Sequence, residues 1–246
     1  MAAATDRVST GVMGLDDKMK GGFVRGSANL LAGKAGTGKS TISLSFVYKG
    51  ALQGEPGVYV TTEESEEDLK RDIQAVFGWD LDAMVKKKLI KFLSIKPIMP
   101  MKKITDDALA QTTKIYVFDV SDKIRQAVKE IGAKRVVVDS VSIIELFIKD
   151  DYIAKIALMQ FVDNMKTLGV TSLLTGTIPE TSDALSGKGI IEYVVDGILK
   201  LNLIPVTEEF KRTLVIRKMR RTDHSTLVHP FEITKDGVKV IEVKDI

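Results

Sequence analysis

GKAGTGKS, residues 33–40, closes the apolar run SANLLAG and opens the stretch STISLSFVYKGALQ, which reads as a helix ending at Gly54. Gly33, Gly38, Lys39 and Ser40 satisfy the spacing G-x-x-x-x-G-K-[ST] in full, with Gly36 as an additional glycine. Each residue type has a physical reason to be there. Glycine lets the backbone turn tightly and aim successive N–H groups at phosphate oxygens. The N-terminus of the helix that follows adds a partial positive charge. Lys39 supplies a mobile full charge for the β- and γ-phosphates. The Ser40 hydroxyl is a hard oxygen donor suited to Mg2+ shared with those phosphates. The residues expected to touch a nucleoside triphosphate are therefore Gly33, Lys34, Ala35, Gly36, Thr37, Gly38, Lys39, Ser40 and Thr41. The pattern does not separate ATP from GTP.

Around this loop the chain alternates strands with helices. GVYVTT, KLIKFLSI, RVVVDS and VTSLLTGT have the length and composition of buried strands. Ser65, followed by Glu66, Glu67 and Asp68, has the form of a helix start, and Leu69, Ile73, Val76 and Phe77 continue it at helical spacing. Ile124, Ala127, Val128 and Ile131 mark a further amphipathic helix. Ile153, Ala157, Phe161 and Leu168 mark another, stopped by Gly169. Such alternation implies an α/β fold with a mostly parallel central sheet and right-handed crossovers. Beyond residue 190, GILKLNLI, RTLVIRKM, TLVHPFEIT and VKVIEV show the short alternation of antiparallel strands, with KDG at 235–237 as a hairpin turn. We expect these strands to extend one edge of the sheet. Residues 96–118, with Pro97 and Pro100 and no clean period, read as a loop or insertion, and KGGFVRG as a glycine-bracketed loop. The expected organisation is one domain: a lead-in over 1–26, the core over 27–195, and antiparallel strands over 196–246.

Acidic residues fall where a triphosphate site needs them. RVVVDS places Asp139 at the carboxyl end of a strand, the edge at which open α/β sheets bind ligands. A carboxylate there complements Ser40 as a metal-side residue, through water, although an acid that ends a strand also caps ordinary turns. GVYVTTEES ends another strand with Glu63 and Glu64. One of these, Glu63 before Glu64, is suited to orient and polarise an attacking water. Two adjacent carboxylates repel each other, which raises the affinity of one for its proton. The competing reading of this pair is an acidic run feeding a helix N-terminus. Thr175 and Thr177 at the end of LLTGT offer hydroxyls that could sense the γ-phosphate, or are simply strand-favouring threonines.

Composition sets the outer bounds. The 246 residues are 44% hydrophobic and 28% charged, enough for a sizeable core, and contain no cysteine, so disulfide and thiolate-metal frameworks are excluded. That fits a reducing compartment, and we expect the cytoplasm. No window approaches the roughly 18 apolar residues of a membrane span, so no membrane partner is expected. A net charge of +3 is too small to argue for nucleic acid by itself.

VSTGVMGLDDKMKGGFVRGSANLLAGKAGTGKST, YVTTEES and IRKMRRTDHS, in that order, resemble the RecA/RadA superfamily of P-loop ATPases, most of all its KaiC-like branch of archaeal RadA-paralogue type. The likeness covers roughly residues 8–80 and 130–240. It implies a RecA-like fold with helices on both faces of the sheet. It further implies a homo-oligomer, often a hexameric ring, holding Mg2+ and ATP between subunits and hydrolysing ATP slowly. It assigns catalysis to the paired glutamates Glu63 and Glu64, and to Lys218 and Arg220 reaching a neighbour's γ-phosphate. Two cations at i and i+2 on a strand point to one side, which suits that task. RKMRR also reads as a solvated basic strand or as a contact to a DNA backbone. His224 is a candidate to support the site from behind. Residues 179–189, PETSDALSGKG, with Lys188, fall where RecA relatives carry a DNA-contacting loop, so single-stranded DNA is a further candidate partner. Lys86, Lys87 and Lys88 read as a solvated helix end. Unlike the clock proteins, the chain carries one ATPase unit and no counterpart of their phosphorylated Ser/Thr pair. It has no F-x-x-A segment of the recombinase kind. An ATP-gated DNA-binding regulator and an autophosphorylating kinase are the rival readings.

Overall fold

The computed structural model describes residues 5–95, 106–142, 151–178 and 191–242. The lead-in forms a two-stranded antiparallel ribbon, β1 (Arg7–Val8) with β2 (Phe23–Val24), around a 3-10 turn at Asp16–Met19. The stretch KGGFVRG is therefore in part a strand. Phe23 is buried edge-on against Phe46, which holds it in extended backbone.

The remaining strands build one nine-stranded sheet. They are β3 (Ala28–Gly33), β4 (Gly57–Thr61), β5 (Ile90–Ser94), β6 (Arg135–Asp139), β7 (Thr171–Thr177), β8 (Gly197–Val206), β9 (Glu209–Met219), β10 (Val228–Thr234) and β11 (Gly237–Val240). Their order across the sheet is β11-β10-β9-β8-β3-β7-β6-β4-β5. From β8 to β5 every pairing is parallel, and from β8 to β11 every pairing is antiparallel. The C-terminal strands thus extend one edge, beside β3. Gly237, at φ 117, makes the expected hairpin turn into β11.

Strand alternation divides the core. Leu31, Tyr59, Val137, Leu173, Leu201, Leu214 and Phe231 face α1 (Lys39–Leu52), α2 (Glu66–Phe77) and α3 (Leu81–Lys86). Leu30, Val60, Val138, Leu174 and Ile198 face α4 (Asp106–Ile131) and α5 (Asp151–Thr167), with the single turn α6 (Ile191–Val194) beside them. Ser65 caps α2 by accepting from the Asp68 N–H, and Gly78 ends it in the left-handed region at φ 65. Lys86 to Lys88 are exposed at the end of α3, as the sequence implies.

One expectation is overturned. Residues 106–118, read as part of a loop, are the first half of α4. Val117, Val120, Ile124, Ala127 and Val128 are buried at helical spacing, but Ile115 and Phe118 point outward, at 63% and 72% exposure. Apolar residues on the solvent side blur the 3.6-residue period on which a sequence reading depends. Of the same stretch, 96–105 lie outside the described residues. So do 179–190, which include the candidate DNA loop and Lys188.

Candidate functional site

The loop between β3 and α1 turns where its glycines allow. Gly36 and Gly38 adopt φ 74 and φ 101, which side chains with a Cβ avoid. A Cβ at Gly36 would meet nothing within 4 Å, so that side of the loop is open. A Cβ at Gly38 would lie 3.1 Å from Ile233 Cδ1, so that side is closed by β10. The Thr37 hydroxyl donates to the Lys34 carbonyl at 2.8 Å and tightens the turn. Lys39 Nζ donates to the Gly33 and Lys34 carbonyls, both at 2.9 Å. Burial lowers the affinity of the Lys39 amine for its proton, opposed by the nearby Asp139 and Glu63 carboxylates. Lys39, tied to Gly33, and Glu63, tied to Ser140, converge with Asp139 at one edge of the sheet.

The convergence follows from register. Thr61 pairs with Asp139, and β6 lies beside β7, so the ends of β4, β6 and β7 meet at one edge. Asp139 Oδ2 accepts from the Tyr59 hydroxyl at 2.7 Å, and Oδ1 accepts from Thr175 Oγ1 at 2.5 Å. The Asp139–Ser140 peptide is cis. Ser140 Oγ donates to Glu63 Oε1 at 3.1 Å, tying that carboxylate to the end of β6. The Glu64 backbone folds against β4: its N–H donates to Thr61 Oγ1, and its carbonyl accepts from the same hydroxyl, both at 3.1 Å. The Glu64 carboxyl is pushed up by burial first, then by Asp139, Asp72, Glu63 and Asp68. The expected repulsion between neighbouring acids is present, as a lesser cause. The Thr177 N–H donates to Ser142 Oγ at 2.8 Å.

Ser40 and Asp139 are hard oxygen donors beside an open glycine cradle, and that set fits Mg2+ with a triphosphate. Three neighbours carry no motif and escape a sequence reading. Arg212 reaches from β9 to the Gly36 carbonyl at 3.5 Å, and its Nε is buried without a partner. Phe231 and Ile233 form the wall behind Gly38. Only the pairing of β9 with both β8 and β10 brings these residues to the loop.

Lys218 and Arg220 lie elsewhere. Gly197 at the start of β8 pairs with Met219, while Gly33 pairs with Leu201 further along. The two cations therefore sit near the opening end of β3, and the cradle sits at its closing end. Six residues of strand separate these ends by about 15–20 Å. Lys218 Nζ donates to the Val195 and Glu192 carbonyls at 2.7 and 3.1 Å. Arg220 pairs with Asp196 at 3.5 Å through its guanidinium and at 2.9 Å through its N–H. Burial and the charges of Arg220 and Lys166 lower the Lys218 amine, while Asp196 opposes them. His224 Nδ1 lies 3.0 Å from the Ser225 carbonyl.

The family model "ATPase: KaiC" matches residues 8–245. The chain belongs to the KaiC-like ATPase family. It is 36% identical to a UPF0273 protein of Thermotoga maritima, over 95% of each chain. A UPF0273 protein of Aeropyrum pernix is also 36% identical, over 96% of this chain and 93% of that one. The circadian clock oscillator protein KaiC of Prochlorococcus marinus is 32% identical over 95% of this chain, which spans only 46% of it. The crystal structure of a KaiC-like protein from Pyrococcus horikoshii OT3 superposes with a TM-score of 0.82. It is 36% identical over 97% of this chain and 100% of that one. The α/β architecture with antiparallel C-terminal strands is thus that of a KaiC-like P-loop protein. Among the described residues, no helix is long and apolar enough to cross a membrane.

Proposed function

We propose that this KaiC-like chain is an ATPase of the cytoplasm. In this reading it hydrolyses ATP slowly at sites shared between copies of itself in a ring. Residues 33–41 hold the triphosphate, and Ser40 and Asp139 hold Mg2+, which when bound neutralises charge on the β- and γ-phosphates. Lys39 binds and orients the γ-phosphate. Glu63, fixed by Ser140, positions the attacking water and takes its proton. Glu64, whose carboxyl is held above its ordinary value by burial and by Asp139, is the second candidate. Lys218 and Arg220 of a neighbouring copy stabilise charge on the transferring phosphoryl group, so turnover depends on assembly.

The observation that carries this reading is the separation of the two groups. Lys39, Glu63 and Asp139 converge at one end of β3, while Lys218 and Arg220 are held near the other. Within one copy the cations do not reach the cradle. Their fixed placement by Asp196 and the Val195 carbonyl favours an interface role over a loosely solvated basic stripe or a contact to DNA.

Subunit mixing tests it. Glu63→Gln and Arg220→Ala should each abolish phosphate release while leaving nucleotide bound. A 1:1 mixture allowed to exchange subunits should recover roughly a quarter of the sites, those pairing an intact Glu63 with a neighbour's intact Arg220. A mixture no more active than its parents would reject the shared site. Release that is unchanged in Glu63→Gln would reject the assigned base. Stimulation of release by single-stranded DNA would favour the DNA-binding alternative, and label retained on the protein from γ-labelled ATP would favour the kinase.

A further inference from the structure

Asp139 is held on both of its oxygens by hydroxyls of buried residues. Strand alternation puts Tyr59, Asp139 and Thr175 on the face covered by α1, and Ser40 lies in the first turn of that helix. Tyr59 is fully buried, and its hydroxyl donates to Asp139 Oδ2 at 2.7 Å. Thr175 Oγ1 donates to the other carboxylate oxygen at 2.5 Å. Two donors therefore bracket Asp139, Tyr59 on one oxygen and Thr175 on the other.

The chemistry of these groups gives the arrangement a purpose. A carboxylate accepts on both of its oxygens, so one hydroxyl donor on each sets its orientation. We propose that Tyr59 is a positioning residue of the metal site, which together with Thr175 sets the Asp139 carboxylate for the metal. With one hydroxyl on each oxygen, the Asp139 carboxylate is fixed in plane and keeps lone pairs free on both atoms. That orientation suits a carboxylate that holds a metal through bound water. A tyrosine present only for packing, with its ring 5.7 Å from Phe92, would be replaced by phenylalanine without consequence.

The inference rests on the reading of Ser40 and Asp139 as the Mg2+ side of the site, and Tyr59→Phe separates the two. Binding of a fluorescent ATP analogue is titrated with Mg2+ and repeated in EDTA. In Tyr59→Phe the half-saturating Mg2+ concentration should rise about tenfold, the lower end of what losing an outer partner of a metal ligand costs. Binding in EDTA should be unchanged. Thr175→Val should show a similar rise, and Thr175→Ser, which keeps the donor, should behave as the wild type. A Tyr59→Phe titration superimposed on that of the wild type would overturn the inference alone. So would an equal loss of affinity with and without Mg2+, which would mark a packing residue. A wild-type protein whose nucleotide binding ignores Mg2+ would overturn the assignment of Ser40 and Asp139, and this inference with it.

Discussion

Arg135 opens β6, whose first four positions are buried, and its side chain is only 1% exposed. It survives there because it is saturated with partners. Nε and Nη2 donate to Glu55 Oε2 at 2.9 and 2.6 Å, and Nη1 donates to the Ser9 and Phe46 carbonyls at 2.9 and 2.8 Å. Breaking a buried ion pair from one side costs about 3–5 kcal/mol. Arg135→Met should fall at the lower end, near 3 kcal/mol, because Glu55 keeps Arg25 at 3.0 Å. Urea unfolding measures it. The same pair gives a pH dependence. Burial acts to raise the Glu55 carboxyl, but Arg135 and Arg25 override it and hold the group below its ordinary 4.5. A depressed carboxyl stabilises the fold fully above the ordinary value and loses that contribution as pH falls through the depressed one. The stability gap between wild type and Glu55→Gln should therefore be widest near pH 6 and close towards pH 3.

At the scale of elements, α1 and β6 meet where one glycine makes room. Helix propensity alone predicts that Gly50→Ala stabilises α1 by about 1 kcal/mol. A Cβ at that position, however, would lie 2.5 Å from Arg135 Cδ and would also press on Nε. The guanidinium, held on several sides, has nowhere to retreat, and overpacking of this kind costs about 1–3 kcal/mol. The clash wins, and Gly50→Ala should lower the urea midpoint. Glycine here was not legible in the sequence, because the reason for it sits 85 residues away, on β6. The same holds elsewhere. The cradle, the capped start of α2, the Asp139 strand and the 235–237 hairpin were readable because their signals are local. The first half of α4 was not, since Ile115 and Phe118 face water. Arg212, Tyr59 and Phe231 were invisible as site residues because register, and not spacing, brings them there.

At the scale of the molecule, the late strands are part of the site wall as well as of the sheet edge. Phe231 is 3% exposed, and its ring stands 3.8 Å from where a Cβ on Gly38 would be. Phe231→Ala should cost about 3–5 kcal/mol. It should also weaken binding of a fluorescent ATP analogue at temperatures where the variant is still folded. Phe231→Leu, which refills most of the volume, should do less of both.

The position of β3 has a consequence for counting. If its two ends serve different sites, each copy gives at one edge and receives at the other, like a tile with a tab and a notch. A row of n such tiles completes n − 1 joints and leaves one tab and one notch idle, whereas a closed circle completes all n. Activity per copy in an open row then climbs towards a plateau as the row lengthens, and a lone tile does nothing.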